Sequence, residues 1–189
     1  MRKALMVGGL VLGLGMALAT RDALAKDMAG WVVEGSGTGI VEGQKYSIKN
    51  LDQGGYLRYQ DRTGANFGWT GNANQAMQVK RKTAGSGPIK CGEVFALFIE
   101  KEWMIHDSQR FGINISSRTQ LNKDEYYQWK FTGCKDGDVV PLHANVTLTN
   151  TVTNDSLVGC KRAIGVNMCW ADDTATVRGK VYRKADVPH

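Results

Sequence analysis

The 189-residue chain reads as an all-β protein, a barrel of three repeated four-strand units behind an export leader. Three observations carry that expectation. Beyond residue 25 apolar residues mostly alternate, β-branched and aromatic residues are common, and Gly, Asn and Asp punctuate the runs, which is the pattern of many short strands. A motif then returns three times: Arg62-Thr-Gly64-Ala-Asn66-Phe-Gly-Trp69, Arg110-Phe-Gly112-Ile-Asn114-Ile and Arg162-Ala-Ile-Gly165-Val-Asn167-Met-Cys-Trp170. Its Asn-to-Asn intervals are 48 and 53 residues, the length of one supersecondary unit. Finally, the four cysteines all lie beyond the leader, an even number that argues for two disulfides in an exported chain.

The leader comes first. Arg2 and Lys3 precede an apolar run from Ala4 to Ala19, too short for an ordinary membrane-spanning helix. Ala23-Leu24-Ala25 then offers a small-x-small cleavage site. Residues 1–25 are therefore expected to be a bacterial Sec-type signal peptide. Residues 26–189 are expected to be one domain, periplasmic or secreted, with no membrane span. No twin-arginine pair precedes the apolar run, and no cysteine for lipid attachment follows it before Cys91.

The strands follow in order. Opening strands are expected at Tyr46–Asn50, Phe95–Ile99 and Val146–Asn150. Second strands are expected at Tyr56–Tyr59, Trp103–His106 and Leu157–Cys160, each feeding the Gly-containing motif and a third strand. Fourth strands are expected at Gln78–Lys82, Gln128–Phe131 and Lys180–Lys184. The units so defined run about 44–85, 92–134 and 144–186. The Gly-rich stretch 26–43 holds one apolar patch, Trp31-Val32-Val33, open between a barrel-closing strand and a loose arm. Trp129, alternating with Gln128 and Lys130, is expected in the core, and Trp103 in the core or capping the barrel. Trp69 and Trp170 stand beside turn residues and are open between packing and exposure.

Charge and motifs narrow the function. The formal charge is +6, falling to about +4 without the leader, and the basic runs are short (Lys80-Arg81-Lys82, Arg183-Lys184). That disfavours nucleic acid and favours acidic glycans or an anionic surface. The wide cysteine spacing without C-x-x-C disfavours a metal. There is neither G-x-S-x-G nor H-E-x-x-H. Neighbours in His106-Asp107-Ser108 would point to opposite faces of a strand, so they form no triad among themselves. Asp172-Asp173 reads as a turn opener, and Glu100-Lys101-Glu102 as a solvated turn. An enzyme is therefore not expected, and neither is a cofactor.

Three four-strand units closing one barrel are the β-trefoil plan, and the first unit resembles the ricin-B-type lectins. Ile48-Lys-Asn50-Leu-Asp52-Gln-Gly-Gly55-Tyr-Leu57 is similar to their opening strand, acidic turn and second strand. Asn66-Phe-Gly-Trp69 is similar to their third strand. Asn74-Gln75-Ala-Met77 resembles their Asn-Gln-x-Trp signature, with Met for Trp. The second unit carries Asp124-Glu125-Tyr126-Tyr127 there, and the third Thr176-Val177-Arg178-Gly179.

The trefoil plan implies the disulfides Cys91–Cys134 and Cys160–Cys169, out of three connectivities that four cysteines allow. It also implies a ligand set. An aromatic plate takes a sugar's apolar face, and planar amides and carboxylates take its hydroxyls. Asp52, Asn66, Trp69, Asn74 and Gln75 are the candidates, with Asn167 and Trp170 as a thinner second set. The repeated Asn also suits a left-handed turn. The expected function is a non-catalytic, lectin-like module binding a glycan or glycoconjugate. The alternatives are a trefoil that binds a host or cell-envelope protein, as a protease inhibitor or toxin subunit does, and a cell-envelope hydrolase.

Overall fold

In a computed structural model, which describes residues 30–61, 66–107, 115–160 and 166–171, twelve strands and a 3-10 helix follow one another. The strands are β1 (Trp31–Glu34), β2 (Ser47–Asn50), β3 (Gly55–Tyr59), β4 (Phe67–Thr70), β5 (Met77–Arg81) and β6 (Phe95–Ile99). Then come β7 (Glu102–His106), β8 (Ile115–Arg118), β9 (Trp129–Thr132), β10 (Asn145–Asn150), β11 (Asp155–Gly159) and β12 (Met168–Trp170). The 3-10 helix, Asp124–Tyr126, lies between β8 and β9. The strands pair antiparallel into one curled sheet. Alternation decides which face turns inward. Ile48, Leu57, Val79, Leu97, Met104, Phe131, Leu148 and Leu157 all lie in one buried cluster, each stabilising by roughly 1.5–3 kcal/mol.

The pairing repeats. β1 pairs with β2, β2 with β3 and β3 with β4. The same ladder recurs through β5–β8 and through β9–β12. Three further contacts join the groups, Tyr46 opposite Met77, Phe95 opposite Trp129, and Val146 opposite Trp31. The recurrence begins at β1, one strand ahead of the unit starts expected near 44, 92 and 144. The apolar patch at Trp31 is thus a paired strand and no loose arm. The strand expected at Lys180–Lys184 lies outside the described residues. So do the leader, Asp172-Asp173, Ser108, residues 176–179 and the motif residues Arg62, Gly64, Arg110, Gly112, Asn114, Arg162 and Gly165.

A second recurrence, not anticipated from the motif, enters each group. Ile40-Val-Glu-Gly43-Gln-Lys-Tyr46, Ile89-Lys-Cys-Gly92-Glu-Val-Phe95 and Val140-Pro-Leu-His143-Ala-Asn-Val146 begin and end on buried apolar residues. The fourth residue has positive φ each time, +81°, +81° and +59°. Glycine reaches that region freely. His143 does not, and it is held by its N–H donating to Val33 O (2.9 Å) and by its ring Nε2 against Gly35 O (3.0 Å). The first residues of the three segments meet: Ile89 N–H donates to Ile40 O at 2.6 Å and Val140 N–H to Ile89 O at 3.0 Å.

Both expected disulfides are formed. Cys91–Cys134, with Cα atoms 6.0 Å apart, joins the loop entering β6 to the loop leaving β9. Cys160–Cys169, 5.9 Å apart, ties the end of β11 to β12. No described cysteine is free.

Candidate functional site

Asn66 and Asn74, and apart from them Asp52 and Trp69, fall in two groups rather than one site, and each of the four already bonds to protein through a polar side-chain atom. Asn66 and Asn74 face the β6–β7 turn. Asn66 Nδ2 donates to Glu102 Oε2 at 3.1 Å, and Asn74 Nδ2 lies 3.5 Å from Glu100 Oε1. Lys101 Nζ sits 4.9 Å from the Tyr59 ring centroid. Glu100-Lys101 form a solvated turn, as expected, and with Glu102 they also hold the first group of strands. Two residues make that turn, and Glu100 at φ +54° permits it.

Asp52 and Trp69 face β11 and β12 instead. The Asp52 carboxylate accepts the Gly159 N–H at 3.1 Å, and Gln53 Nε2 donates to Cys160 O at 3.1 Å. Burial raises the Asp52 pKa, and the Gly159 bond opposes that rise. A Cβ at Gly159 would collide with Asn50 and Asp52, so glycine permits this approach. Trp69 shares the inward face with Leu57, its cross-strand partner. Its ring lies 6.1 Å from that of Trp31, and its Nε1–H donates to Val166 O at 2.6 Å. Gln75 is exposed, in a left-handed conformation with φ +48°. Asn167 is left-handed too, at φ +54°, and its carbonyl accepts the Cys160 N–H, which is the turn role. Trp170 is only 5% exposed, so it packs.

Asn74 has a further bond that explains it. Trp31, Met77 and Trp129 occupy one register position in the three groups, opposite Asn50, Ile99 and Asn150. Trp31 Nε1–H donates to Leu157 O and Trp129 Nε1–H to Met104 O, each at 2.6 Å. Met77 has no N–H, and Asn74 Nδ2 donates to the matching carbonyl of Leu57 at 3.0 Å. The signature-like Asn here replaces an indole donor.

A cleft with charged and polar side chains lies elsewhere among the described residues, where β7, β8 and the 3-10 helix meet the β10–β11 turn. It holds about 350 Å³ and is lined by Ile105, His106, Asp107, Arg118, Lys123, Glu125, Tyr126, Gln128 and Val152. Its floor is rigid. Gln128 Oε1 accepts the His106 N–H at 2.7 Å, and Gln128 Nε2 donates to His106 O at 3.1 Å. Asn150 Nδ2 lies 3.5 Å from Gln128 Oε1. Arg118 forms an ion pair with Asp107, and its Nη1 donates to Ser116 Oγ and Ser117 O at 2.9 and 2.8 Å. Lys123 pairs with Glu125 at 3.2 Å and lies over the Tyr126 ring. Burial lowers the His106 pKa, partly offset by Asp107. The His106 ring lies 5.9 Å from that of Trp170. From sequence, His106-Asp107 reads as the end of a strand entering a turn, which is where β7 ends, and nothing in that reading signals a cleft. The register of Gln128 beneath it is a long-range fact.

No family model, no curated protein and no solved structure matches the chain. Among the described residues no helix is long and apolar enough to cross a membrane.

Proposed function

We propose that this chain is an exported β-trefoil of lectin-like character, binding a glycan or glycoconjugate without catalysis, through the cleft beside β7 and β8. The three recurring ladders and the three matching joints between them support the trefoil reading. Two disulfides suit an oxidising compartment. The observation that carries the function is the cleft's lining. An imidazole, two carboxylates, a guanidinium, an ammonium and a phenol ring surround about 350 Å³, several of them bonded to protein partners. Groups held in advance lose little freedom when a polyhydroxylated ligand arrives. Arg118 and Lys123 are each paired with a carboxylate, Asp107 and Glu125, so the rim presents balanced donors and acceptors, which suit sugar hydroxyls.

The test is a glycan array carrying neutral, sialylated and uronic-acid glycans, probed with the oxidised protein. We expect selective signals, lost in Arg118→Gln. Silence across the array overturns the reading. Signals that survive Arg118→Gln and vanish in Gln75→Ala would return the site to the first unit.

A further inference from the structure

From the outer face of β6 and β7 we infer an aromatic platform that stacks a sugar ring, continuous with the cleft through Arg118; this rests on the lectin-like reading above. Register places Gln78, Phe98, Trp103 and Arg118 in one row across β5, β6, β7 and β8. Leu97 and Met104, one residue away on β6 and β7, point into the core, so the row points outward. Phe98 and Trp103 are partly exposed, with ring centroids 4.9 Å apart and planes at 55°. Trp103 was expected in the core or capping the barrel; the period of two puts it on the opposite side from buried Met104.

The fold does not require these rings. The matching row of the first group is Val32, Lys49, Tyr56 and Thr70. That of the third begins Lys130, Thr149, Ser156. Neither holds two adjacent rings, yet both support the same ladder. A tilted indole–phenyl corner, flanked by a planar amide and a planar guanidinium, matches the two sides of a pyranose: C–H groups on its face, hydroxyls on its edge. Arg118 is anchored by Ser116, Ser117 and Asp107, and it stands both in this row and on the cleft rim. A glycan resting one ring on Trp103 would therefore extend its next polar group into the cleft.

The experiment compares wild type, Trp103→Ala, Trp103→Phe and Tyr56→Ala on one array of neutral and carboxylated glycans, with the strongest hit then titrated by tryptophan emission. Each variant's melting temperature is recorded. We expect Trp103→Ala to weaken the hit at least about tenfold, Trp103→Phe to retain it within about threefold, and Tyr56→Ala to leave it unchanged. The emission shift on binding should disappear in Trp103→Phe. Phe98→Thr carries the same expectation as Trp103→Ala if the latter unfolds. Unweakened binding by folded Trp103→Ala overturns the platform and leaves the lectin reading standing. No bound glycan for wild type overturns both.

Discussion

The group β5–β8 and its two flanking groups share one ladder, yet they meet the same internal demand with different residues. Each has a carbonyl on its third strand, at Leu57, Met104 or Leu157, that accepts a side-chain N–H from outside that strand. In the flanking geometry an indole N–H reaches it, from Trp31 or Trp129 at 2.6 Å. Where Met77 stands, Asn74 reaches it from outside the strand at 3.0 Å. The Asn74 amide pays for this reach, because its Oδ1 is buried without a partner among the described residues. The turns differ likewise. Asn50 Oδ1 accepts Gln53 N–H and Asn150 Oδ1 accepts Val152 N–H, both at 2.9 Å, inside four-residue turns. The corresponding Ile99 leads into a two-residue turn and needs no such acceptor. A repeat is thus conserved in what its backbone requires, while the residue that supplies it varies.

That comparison can be broken most forcefully at the disulfide bracketing the middle strands. Replacing Cys91 and Cys134 by Ser should cost about 4 kcal/mol, against about 2.5 kcal/mol for Cys160 and Cys169, because the closed loops differ in length. Chemical denaturation of both double variants measures the gap, and equal losses would contradict the ranking. Next, Trp129→Phe should cost about 2–4 kcal/mol, from lost volume and an orphaned Met104 carbonyl. Asn74→Ala should cost less, about 1–2 kcal/mol, since its own Oδ1 is already unsatisfied. Adding Met77→Trp should shrink the Asn74→Ala penalty in a double-mutant cycle; strict additivity would mean the two donors are not equivalent.

The smallest effect concerns pH. With the folded His106 pKa held below the usual value of about 6.5, the unfolded chain binds more protons in that window. Stability from this residue is full above about 6.5 and declines as pH falls toward the folded value. His106→Gln should flatten that slope between pH 7.5 and 5.5 in denaturant midpoints. Asp52, with its pKa raised, has the opposite sign: its contribution falls as pH rises above the usual carboxylate value.

Most strands were legible because alternation marks them. Ile48, Leu57 and Val79 sit where a period of two puts a core. β1 was ambiguous because Gly-rich sequence surrounds Trp31-Val32-Val33 and its two partners lie on β2 and β10. On β6 and β7 both faces are apolar, so hydrophobicity alone could not say that Leu97 and Met104 turn inward while Phe98 and Trp103 turn outward. The ligand set was the least legible part. Asp, Asn and Trp suit a sugar, and they suit a backbone amide or carbonyl equally well. Only the positions of Gly159, Val166 and Leu57 in space reveal which they serve.

The pairing of β1 bears on how the chain reaches its shape at all. Trp31 bonds to Leu157, 126 residues further along. One edge of β1 pairs with nearby β2, but the other pairs with Asn145 and Val146 of β10, so it too waits for residues far along the chain. Closing so large a loop is entropically slow, and ladders within each group can form well before it. Until β10 and Leu157 arrive, β1 offers an unpaired strand edge and an unmet indole donor, the features that holdase chaperones and aggregation both exploit. The circuit that ends the fold is thus also its latest and most vulnerable step.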